Sequence, residues 1–483
     1  MTSRNSRRQI HGCSCAVLLL ILFQAASAAV PGLVNSTKHL VLDARVIAET
    51  NNLRLVLGTP RKEPRNPLLE ADKPWENSLN NLYPNVVYDT DQRRFRLWYK
   101  DMICDEAAIQ KMSSPRIIAS VGWFLLYATS KDGLAWTKPE LGLIPFDGST
   151  QNNIVAQNTA NTGVFKDIYD PDPSRRYKMV HDEGRGNLRV RFSKDGIHWE
   201  EAIQPNITGG VGDTHNNAFY DPRRGQYVLI TRLFQGERKV ARSQSTDFLH
   251  WTDPQVILES LPSEKGRRQT YCMPAFPYAN GYIGFVMMIN TPGDSTVDCE
   301  LAWSTDSVQW QRINPGTPFI PRGPEGSYDS GCIYAPAGSA IARGDQLFLF
   351  YGGSRDKHIG RKRHCLPCLA RLRLDGFAGY EPAEPILPGW FVTRPMRCTG
   401  EPLRISADAE AGAIRVAALD ENGFELERCT AIRQNVTDRE VKWRGGKFRS
   451  LKGRSVRLKF ELRSARLYAF SGLALAADSP REH

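Results

Sequence analysis

The chain has 483 residues, 41% of them hydrophobic and 24% charged, which is the composition of an ordinary globular protein. The formal net charge of +11 is spread along the chain, and no nucleic-acid motif is interleaved with the basic runs Arg361–His364 and Lys442–Arg457. We therefore predict no nucleic-acid partner. The basic runs either belong to the solvated surface or favour binding of an anionic partner.

The N-terminus has the pattern of an export signal. Three arginines (Arg4, Arg7 and Arg8) precede an apolar run, Ala16–Phe23, and the small residues Ala26–Ala28 follow. This predicts a signal peptide over residues 1–28 and a secreted or periplasmic protein. The apolar run is too short for a permanent anchor, and no later segment predicts a membrane span.

A short phrase with a Ser, an Asp and an aromatic residue recurs along the chain. Its four copies are Ser130–Trp136, Ser193–Trp199, Ser245–Trp251 and Ser304–Trp310, and Arg373–Phe377 is a degenerate fifth. The copies are roughly 50–65 residues apart, which is the period of propeller blades. The Asp residues of the phrase (Asp132, Asp195, Asp247 and Asp306) are predicted to be turn residues, since a function rarely needs four equivalent copies.

Each copy follows a β-rich run and an aromatic strand, which gives five units of about four strands. The predicted fold is therefore all-β, with a five-bladed β-propeller over residues 38–392. The strands His39–Leu42 and Leu53–Leu57 are expected to close or brace the ring. From residue 393 the strands alternate with a period of two, which predicts a small β-sandwich over residues 393–472, with a tail over 473–483.

Candidate catalytic residues are acids just before the inner strands, because inner strands of a propeller converge at one mouth. Splitting a glycosidic bond needs a pair of carboxyl groups, one to protonate the leaving oxygen and one to attack or to activate water. We predict Asp167, Asp213 and Asp329 as catalytic, with Glu76 in reserve. Structural alternatives remain open: Asp213 as a loop brace, Asp329 as a tie between blades and Asp167 as an ion-pair member.

Further residues are predicted to bind substrate, and the loops His181–Glu183 and Arg355–His358 are candidates for the rim of the substrate-binding site. The predicted substrate-binding residues are Trp75, Glu76, Lys166, His215, Tyr271 and Glu325. His215 also fits a buried core position. No metal ion and no cofactor are predicted. The eight cysteines after the signal can form disulfides or remain buried thiols.

At these positions the sequence resembles the five-bladed propeller glycoside hydrolases of families 32, 43 and 68, in particular exported proteins with a family 32 N-terminal-like domain. The resemblance is carried by Pro74–Glu76, Leu141–Gly148, Val164–Asp167, Gly212–Asn216, Met273–Tyr278 and Tyr328–Gly331. It implies Asp213 as general acid, Asp167 as orienting acid, and Asp329 or Glu76 as base or nucleophile.

The predicted function is that of an exported glycoside hydrolase acting on a poly- or oligosaccharide. The alternative is a non-catalytic, lectin-like propeller that binds carbohydrate. The sequence leaves the sugar, the linkage and the oligomeric state open.

Overall fold

The computed structural model describes residues 33–76, 79–102, 122–146, 148–183, 187–207, 209–359 and 363–475. The predicted signal peptide, most of the predicted tail and Cys104 lie outside these residues. The described chain is all-β, as predicted, and its three 3₁₀ helices are short: Ala44–Val46, Pro173–Arg175 and Phe448–Leu451. Within the described ranges, no helix has the length and apolar character needed to cross a membrane.

Four short strands come first: β1 (Lys38–Leu40), β2 (Ile47–Asn51), β3 (Leu53–Leu57) and β4 (Arg61–Lys62). Three antiparallel sheets then follow one another along the chain. The first contains β5 (Asn85–Asp89), β6 (Arg94–Met102), β7 (Trp123–Ser130), β8 (Trp136–Thr137) and β9 (Ile154–Gln157). The second contains β10 (Ala160–Lys166), β11 (Tyr177–Asp182) and β12 (Leu188–Ser193). The third contains β13 (Asn217–Asp221), β14 (Gln226–Gln235), β15 (Glu237–Ser245) and β16 (Gln255–Leu258).

A fourth and a fifth group of strands are joined into one larger sheet by a parallel pairing at Val297 and Cys332. The fourth group contains β17 (Arg268–Cys272), β18 (Ala275–Tyr278), β19 (Gly281–Asn290), β20 (Val297–Ser304) and β21 (Trp310–Ile313). The fifth contains β22 (Cys332–Tyr334), β23 (Ile341–Arg343), β24 (Gln346–Ser354) and β25 (Cys365–Arg373), and β4 pairs with its last strand.

The recurring phrase forms the same turn in each copy. In the first copy, one carboxylate oxygen of Asp132 accepts hydrogen bonds from the backbone N–H groups of Leu134 and Ala135, at 2.8 and 2.9 Å. The Ser130 hydroxyl accepts the N–H of Gly133 at 2.9 Å. The other copies repeat these bonds, which confirms the prediction that all four Asp residues are turn residues.

The C-terminal strands form two further sheets around a separate apolar core. One sheet contains β26 (Ala378–Pro382), β29 (Arg404–Asp408), β32 (Val436–Glu440) and β34 (Arg466–Ser471). The other contains β27 (Gly389–Thr393), β28 (Met396–Cys398), β30 (Ala413–Leu419), β31 (Glu425–Arg428), β33 (Ser455–Arg463) and β35 (Leu473–Leu475). Their shared core includes stacked rings of Phe391 and Phe460, with centroids 4.8 Å apart.

The N-terminal strands pair with the C-terminal sheets. β1 pairs with β34, β2 with β27 and β3 with β26, so these strands extend those sheets. Strand β26 and most of β27, which the prediction included in residues 38–392, also belong to these sheets. Of the three N-terminal strands, the sequence pattern identified β1 and β3 but not β2, and the partners of all three lie more than 300 positions later in the chain.

Candidate active site

Strand β10 separates two chemically different sides of the repeat region. It rises from Ala160 to Lys166 and spans roughly 20 Å at about 3.3 Å per residue. At its beginning, Ala160 pairs with Asp182 and Asn161 accepts the ammonium of Lys100. We call this end the start side. The other end, at Lys166 and the residues that follow, is the finish side.

Asp167 lies on the finish side, where it forms a buried ion pair and both of its carboxylate oxygens accept hydrogen bonds. One carboxylate oxygen accepts hydrogen bonds from the Lys178 ammonium and the Tyr227 hydroxyl, each at 2.8 Å. The other accepts the N–H groups of Tyr169 and Asp170. Its catalytic role stays a prediction, and these contacts favour the structural alternative, although the main partner is Lys178 and not the predicted Lys166.

Two other acids repeat this arrangement between neighbouring sheets. Asp89 accepts the Tyr177 hydroxyl at 2.8 Å, and Asp221 accepts the hydroxyl of Tyr282. Lys166, predicted to bind substrate, instead donates to Asp89 at 3.1 Å and joins this tie. Burial opposes ionisation of Asp89, but the bonds from Tyr177 and Lys166 hold its pKa at about 2. On the finish side each of these acids therefore accepts a tyrosine hydroxyl from the next sheet and lies beside a cation.

Asp329 is likewise paired, but with a strand at the outer edge of the fifth group. Its carboxylate accepts the Lys62 ammonium of β4 at 2.5 Å and the Tyr351 hydroxyl at 2.9 Å. Its catalytic role stays a prediction, and the contacts fit the alternative of a structural tie. Glu325, a few residues earlier, is exposed.

Glu76 and Trp75 belong to a network within the first sheet. Glu76 accepts the Tyr99 hydroxyl and the Lys138 ammonium, both at 2.6 Å, and its side chain is fully buried. The Trp75 indole N–H donates to Asn153 at 2.7 Å. Glu76 is therefore not an exposed loop acid, and its contacts favour a structural role over contact with a sugar.

Asp213 differs from these acids because its side chain is exposed to solvent. It lies on the start side and is 85% exposed, although Thr214, His215 and Asn216 directly after it are buried. Its backbone has a φ of 53°, which few residues other than glycine adopt, and its N–H donates to the buried Asp182 carboxylate at 2.9 Å. Asp213 is therefore an exposed acid on a backbone segment that buried groups hold in place.

Arg232 fixes the other side of Asp213. Its guanidinium lies 3.2 Å from an Asp213 carboxylate oxygen and donates to the Tyr271 carbonyl at 2.8 Å. The same guanidinium lies 4.6 Å from the centre of the Tyr271 ring, and the Tyr271 ring contacts that of His358 with centroids 4.8 Å apart. The structure thus brings together Asp213, Tyr271 and the predicted rim residues Asp182 and His358.

Additional cations act on this group, and the sequence pattern singled out only Arg363 among them, as part of a basic run. Arg238 lies 5.9 Å from the centre of the Tyr271 ring. Burial lowers the pKa of His358 to about 2, and the charges of Arg363, Arg238, Arg232 and Lys100 act in the same direction. His358 is therefore neutral at physiological pH, and its Nδ1 lies 2.9 Å from the Tyr334 hydroxyl.

Lys100 is the most deeply placed of these cations. Its side chain is buried, and its ammonium lies 4.5 Å from the centre of the Trp123 ring and 3.3 Å from the Asn161 side-chain oxygen. Burial lowers the pKa of Lys100 to about 7, and Arg363 contributes in the same direction. An amine with this pKa can exchange a proton near neutral pH.

A sequence signal for the start side exists in retrospect. Lys100, Asp182 and Arg232 each stand five positions after the aromatic residue near the beginning of the second strand of a sheet, namely Phe95, Tyr177 and Tyr227. A buried charge at the same register of three repeats is not expected of core residues, because burial of an ionised group is costly. We call Lys100, Asp182, Asp213, Arg232, Arg238, Tyr271, His358 and Arg363 the start-side cluster.

His215 lies beside this cluster but inside the core. Its side chain is fully buried, with its ring 4.9 Å from that of Tyr83 and its Nε2 3.4 Å from the Ala337 carbonyl. Burial lowers its pKa to about 3, so the ring is neutral at physiological pH. This placement fits the core alternative and leaves no exposed ring face for a sugar.

Two apolar side chains are exposed next to the cluster. Phe234 is two residues beyond Arg232 on β14 and is 67% exposed, and Ile359 follows His358 and is 62% exposed.

The described cysteines are all buried free thiols: Cys272, Cys299, Cys332, Cys365, Cys368, Cys398 and Cys429. Within the described ranges, no group of His, Cys, Asp and Glu side chains is arranged to hold a metal ion.

Comparisons with known proteins give only distant structural likenesses. No family model and no curated protein matches the sequence. A β-1,2-mannobiose phosphorylase from Listeria innocua, solved with β-1,2-mannobiose, is similar at 15% identity and a TM-score of 0.47, over 66% of this chain and 99% of that one.

Two other solved structures are similar at the same level. An N-acetylgalactosamine deacetylase from F. plautii, in complex with blood group B trisaccharide, gives 15% identity and a TM-score of 0.44 over 68% and 97% of the two chains. A glycoside hydrolase gives 14% identity and a TM-score of 0.43 over 65% and 92%. Values this low assign neither a family nor an activity, and the resemblance to families 32, 43 and 68 stays a prediction.

Proposed function

We propose that the protein is an exported carbohydrate-active enzyme, a glycoside hydrolase with Asp213 as its reacting carboxyl group. The observation that carries this proposal is the contrast in exposure among the acids. Asp213 is 85% exposed, whereas Asp167, Asp329 and Glu76 are buried in contacts that saturate their carboxylates. A carboxyl group must reach the glycosidic oxygen or the anomeric carbon to act, and Asp213 is able to do so.

The neighbours of Asp213 have separate roles in this proposal. Asp182 is a positioning residue, since it holds the Asp213 backbone N–H in a left-handed conformation. Arg232 orients the carboxylate from the other side. Phe234 offers an apolar face on which a sugar ring stacks.

The proposed architecture is a five-bladed β-propeller followed by a small β-sandwich. Five successive strand groups and the ties Asp89–Tyr177, Asp167–Tyr227 and Asp221–Tyr282 between neighbours support the propeller. The two C-terminal sheets around one core support the sandwich. In this arrangement the start side is the mouth of the ring, where unlike side chains from different sheets meet at one asymmetric site.

The test is the release of reducing sugar from a panel of neutral and acidic glycans. We expect Asp213→Asn to lower kcat by about 100-fold or more, the usual contribution of a positioned acid or base. Glu421→Gln is the matched control, since Glu421 is an exposed acid in the C-terminal part of the chain. Unchanged turnover in Asp213→Asn would remove the assignment. Glycan binding by the wild type without any turnover would favour the lectin-like alternative.

A further inference from the structure

The C-terminal sheets contain a cavity that the proposed active site does not use. It has a volume of about 310 Å³ and lies at the edge strand β32, beside the segment Thr430–Gln434. That segment also joins the other sheet, because Ile432 pairs with Ile414 of β30. The cavity therefore lies where a short connection bridges the edges of the two sheets. All of its lining residues belong to the continuously described range 363–475.

A β-bulge in β32 places a basic side chain on the cavity side of this strand. Thr437 and Asp438 together stand opposite the single residue Ser406, and Asp438 has a φ of 46°. The extra residue reverses the alternation of the strand, so Arg439 pairs with the buried Ile405 and lies on the same face as it. Regular alternation without the bulge would place Arg439 on the opposite face.

The rim of the cavity is basic. Arg433, Arg439 and Lys442 line it, and all three are exposed. In the part of the chain that the structure describes, none of these three cations forms an ion pair. Glu440 also lines the cavity, and its carboxylate accepts the Arg449 guanidinium at 3.2 Å. The lining therefore carries three cations for one carboxylate, and that carboxylate already has a cationic partner.

The basic run Lys442–Arg457, which the proposed active site leaves unexplained, continues from this rim. It contains seven cations and no acid. Arg449 and Arg457 pair with acids outside the run. The other five cations are exposed: Lys442, Arg444, Lys447, Lys452 and Arg454. Surface charge of a single sign attracts a ligand of the opposite charge. We therefore expect the cavity to take an anion and the run to contact a longer anionic chain.

The size and the floor of the cavity indicate which anion fits. Ligand cavities have volumes of roughly 300–1,000 Å³, and this one is at the lower end, so it suits a single small ring. Its floor is apolar, because Ile405 and Val436 are buried and Ile432 is half-buried. An apolar floor with a few charged groups at the rim suits a sugar ring, whose faces carry C–H groups, with one anionic substituent.

A membrane surface fits this region less well. Peripheral binding to anionic lipids combines basic residues with apolar side chains that enter the bilayer. Among the described residues of the C-terminal sheets and their loops, the large exposed apolar side chains are Ile386, Leu387 and Phe424, and none of them belongs to the basic run.

We propose that this cavity binds an acidic polysaccharide, with a sulfate or carboxylate group of one sugar unit held by Arg433, Arg439 and Lys442. The inference goes beyond the proposed function, because it assigns a second site in the C-terminal sheets. It does not depend on the reaction at Asp213.

Binding of short polysaccharide fragments tests this proposal. The probes are fragments of dextran sulfate and of unmodified dextran, which differ only in their sulfate groups, and fragments of polygalacturonate and of its neutral methyl ester. Calorimetry with the full-length protein measures the affinity for each. We expect at least one acidic fragment to bind about tenfold or more tightly than its neutral form, as expected for hydrogen bonds between charged groups.

Removal of the rim charges should abolish this preference. The triple variant Arg433→Gln/Arg439→Gln/Lys442→Gln should weaken binding of the acidic fragment about tenfold or more. Two single variants separate the cavity from the general charge of the run. Arg439→Gln should weaken binding at least about threefold more than Arg454→Gln, because Arg454 does not line the cavity.

The matched control removes the same kinds of charge from another part of the chain. Arg93, Arg94 and Lys131 are exposed at the beginning of β6 and directly after β7. Arg93→Gln/Arg94→Gln/Lys131→Gln should leave binding of the acidic fragment unchanged. Because the substituted side chains are exposed in both triple variants, neither variant is expected to unfold, and melting curves verify this.

Several outcomes would overturn the proposal. They are equal binding of acidic and neutral fragments, no binding of any acidic fragment, equal losses in the two triple variants, or equal losses in Arg439→Gln and Arg454→Gln. Tighter binding to phosphatidylserine-containing vesicles or to a DNA duplex than to any acidic fragment would assign the region to a lipid or a nucleic acid instead.

The failure of this proposal and the failure of the proposed function are distinguishable. Asp213→Asn should lose turnover and keep binding of the acidic fragment at the C-terminal cavity. The triple variant of the cavity rim should lose that binding and keep turnover of a short neutral substrate. Each of these results can fail without the other.

Discussion

The start side and the finish side of the repeat region both carry charged residues at strand ends, but the contacts and the exposure of those residues differ. On the finish side, Asp89, Asp167 and Asp221 each accept a tyrosine hydroxyl from the next sheet. On the start side, Asp213 is exposed, and Lys100 and Arg238 have only amide oxygens as polar partners within the described ranges. The difference shows that an acid beside a strand end is not by itself a candidate for catalysis, because a carboxylate whose oxygens are already bonded inside the protein is not accessible to a ligand.

The largest effect on stability is expected from breaking a finish-side tie. Asp167→Asn removes the charge that pairs with the buried Lys178 ammonium and leaves only Asp170 to balance it. We expect the free energy of unfolding to fall by roughly 3 kcal/mol, as for other broken buried pairs. Chemical denaturation of the variant and the wild type measures this change. A decrease in the free energy of unfolding below about 1 kcal/mol would show that these contacts contribute little to the stability of the fold.

The opposite sign is expected on the start side. Lys100→Met removes an ammonium whose burial lowers its pKa to about 7, so the wild type bears a cost that the variant does not. We expect the variant to be more stable by roughly 2 kcal/mol at pH 7, as measured by chemical denaturation. A variant that is less stable at pH 7 would contradict this account of Lys100.

The pH dependence of that difference follows from the direction of the shift. The unfolded state keeps the ordinary lysine pKa of about 10.5 and binds more protons than the folded state between pH 7 and 10.5, so wild-type stability gains from rising pH in this window. The advantage of Lys100→Met should therefore shrink as the pH is raised. The charged or titratable groups that act on Lys100 are Arg363, Asp213, Cys365 and Asp182, and both proteins retain them.

A smaller effect is expected at acid pH from Asp89. Its pKa of about 2 lies below the ordinary value of 3.8, because the bonds from Tyr177 and Lys166 outweigh burial. Its contribution is present above pH 4 and is lost as the pH falls toward 2, and we expect it to be about 1–2 kcal/mol. Asp89→Asn should flatten the stability curve between pH 4 and 2. If urea titrations show the same fall in the free energy of unfolding between pH 4 and 2 for the variant and the wild type, the stabilising role of Asp89 is contradicted.

The smallest effect is expected from Phe234. Its ring is 67% exposed, so Phe234→Ala should change the free energy of unfolding by no more than about 0.5 kcal/mol. Loss of a stacking face should raise KM for the substrate about threefold to tenfold with little change in kcat. Phe424→Ala in the C-terminal sheets is the control, since Phe424 is 73% exposed. Equal KM values for both variants would remove Phe234 from the site.

The all-β class and the turns of the recurring phrase were predictable because both depend on local chemistry. A Ser and an Asp at fixed spacing accept N–H groups of the same turn, wherever the chain goes next. The placement of β1, β2 and β3 was not predictable in the same way. Their partners lie more than 300 residues later, and alternation within a strand does not say which sheet it joins.

The candidate site was predicted only in part, for a related reason. Asp213, Asp182, Tyr271 and His358 were each identified as candidates, and the structure brings them together. Asp167 was grouped with them because it was predicted to precede an inner strand, but in the structure it follows β10, whereas Asp213 precedes β13. The end of the strand at which an acid lies decides whether it is on the start side or the finish side, and the strand boundary at Lys166 was misplaced in the prediction.

The most direct test of the central claim compares Asp213→Asn with Asp167→Asn in one experiment. Each variant is measured for Tm and for turnover per folded molecule on the best substrate of the glycan panel. We expect Asp213→Asn to lose about 100-fold or more in turnover with an unchanged Tm, and Asp167→Asn to keep its turnover while its Tm falls by about 3 °C. The reverse pattern, with turnover lost in Asp167→Asn and kept in Asp213→Asn, would contradict the assignment of the start side as the active site.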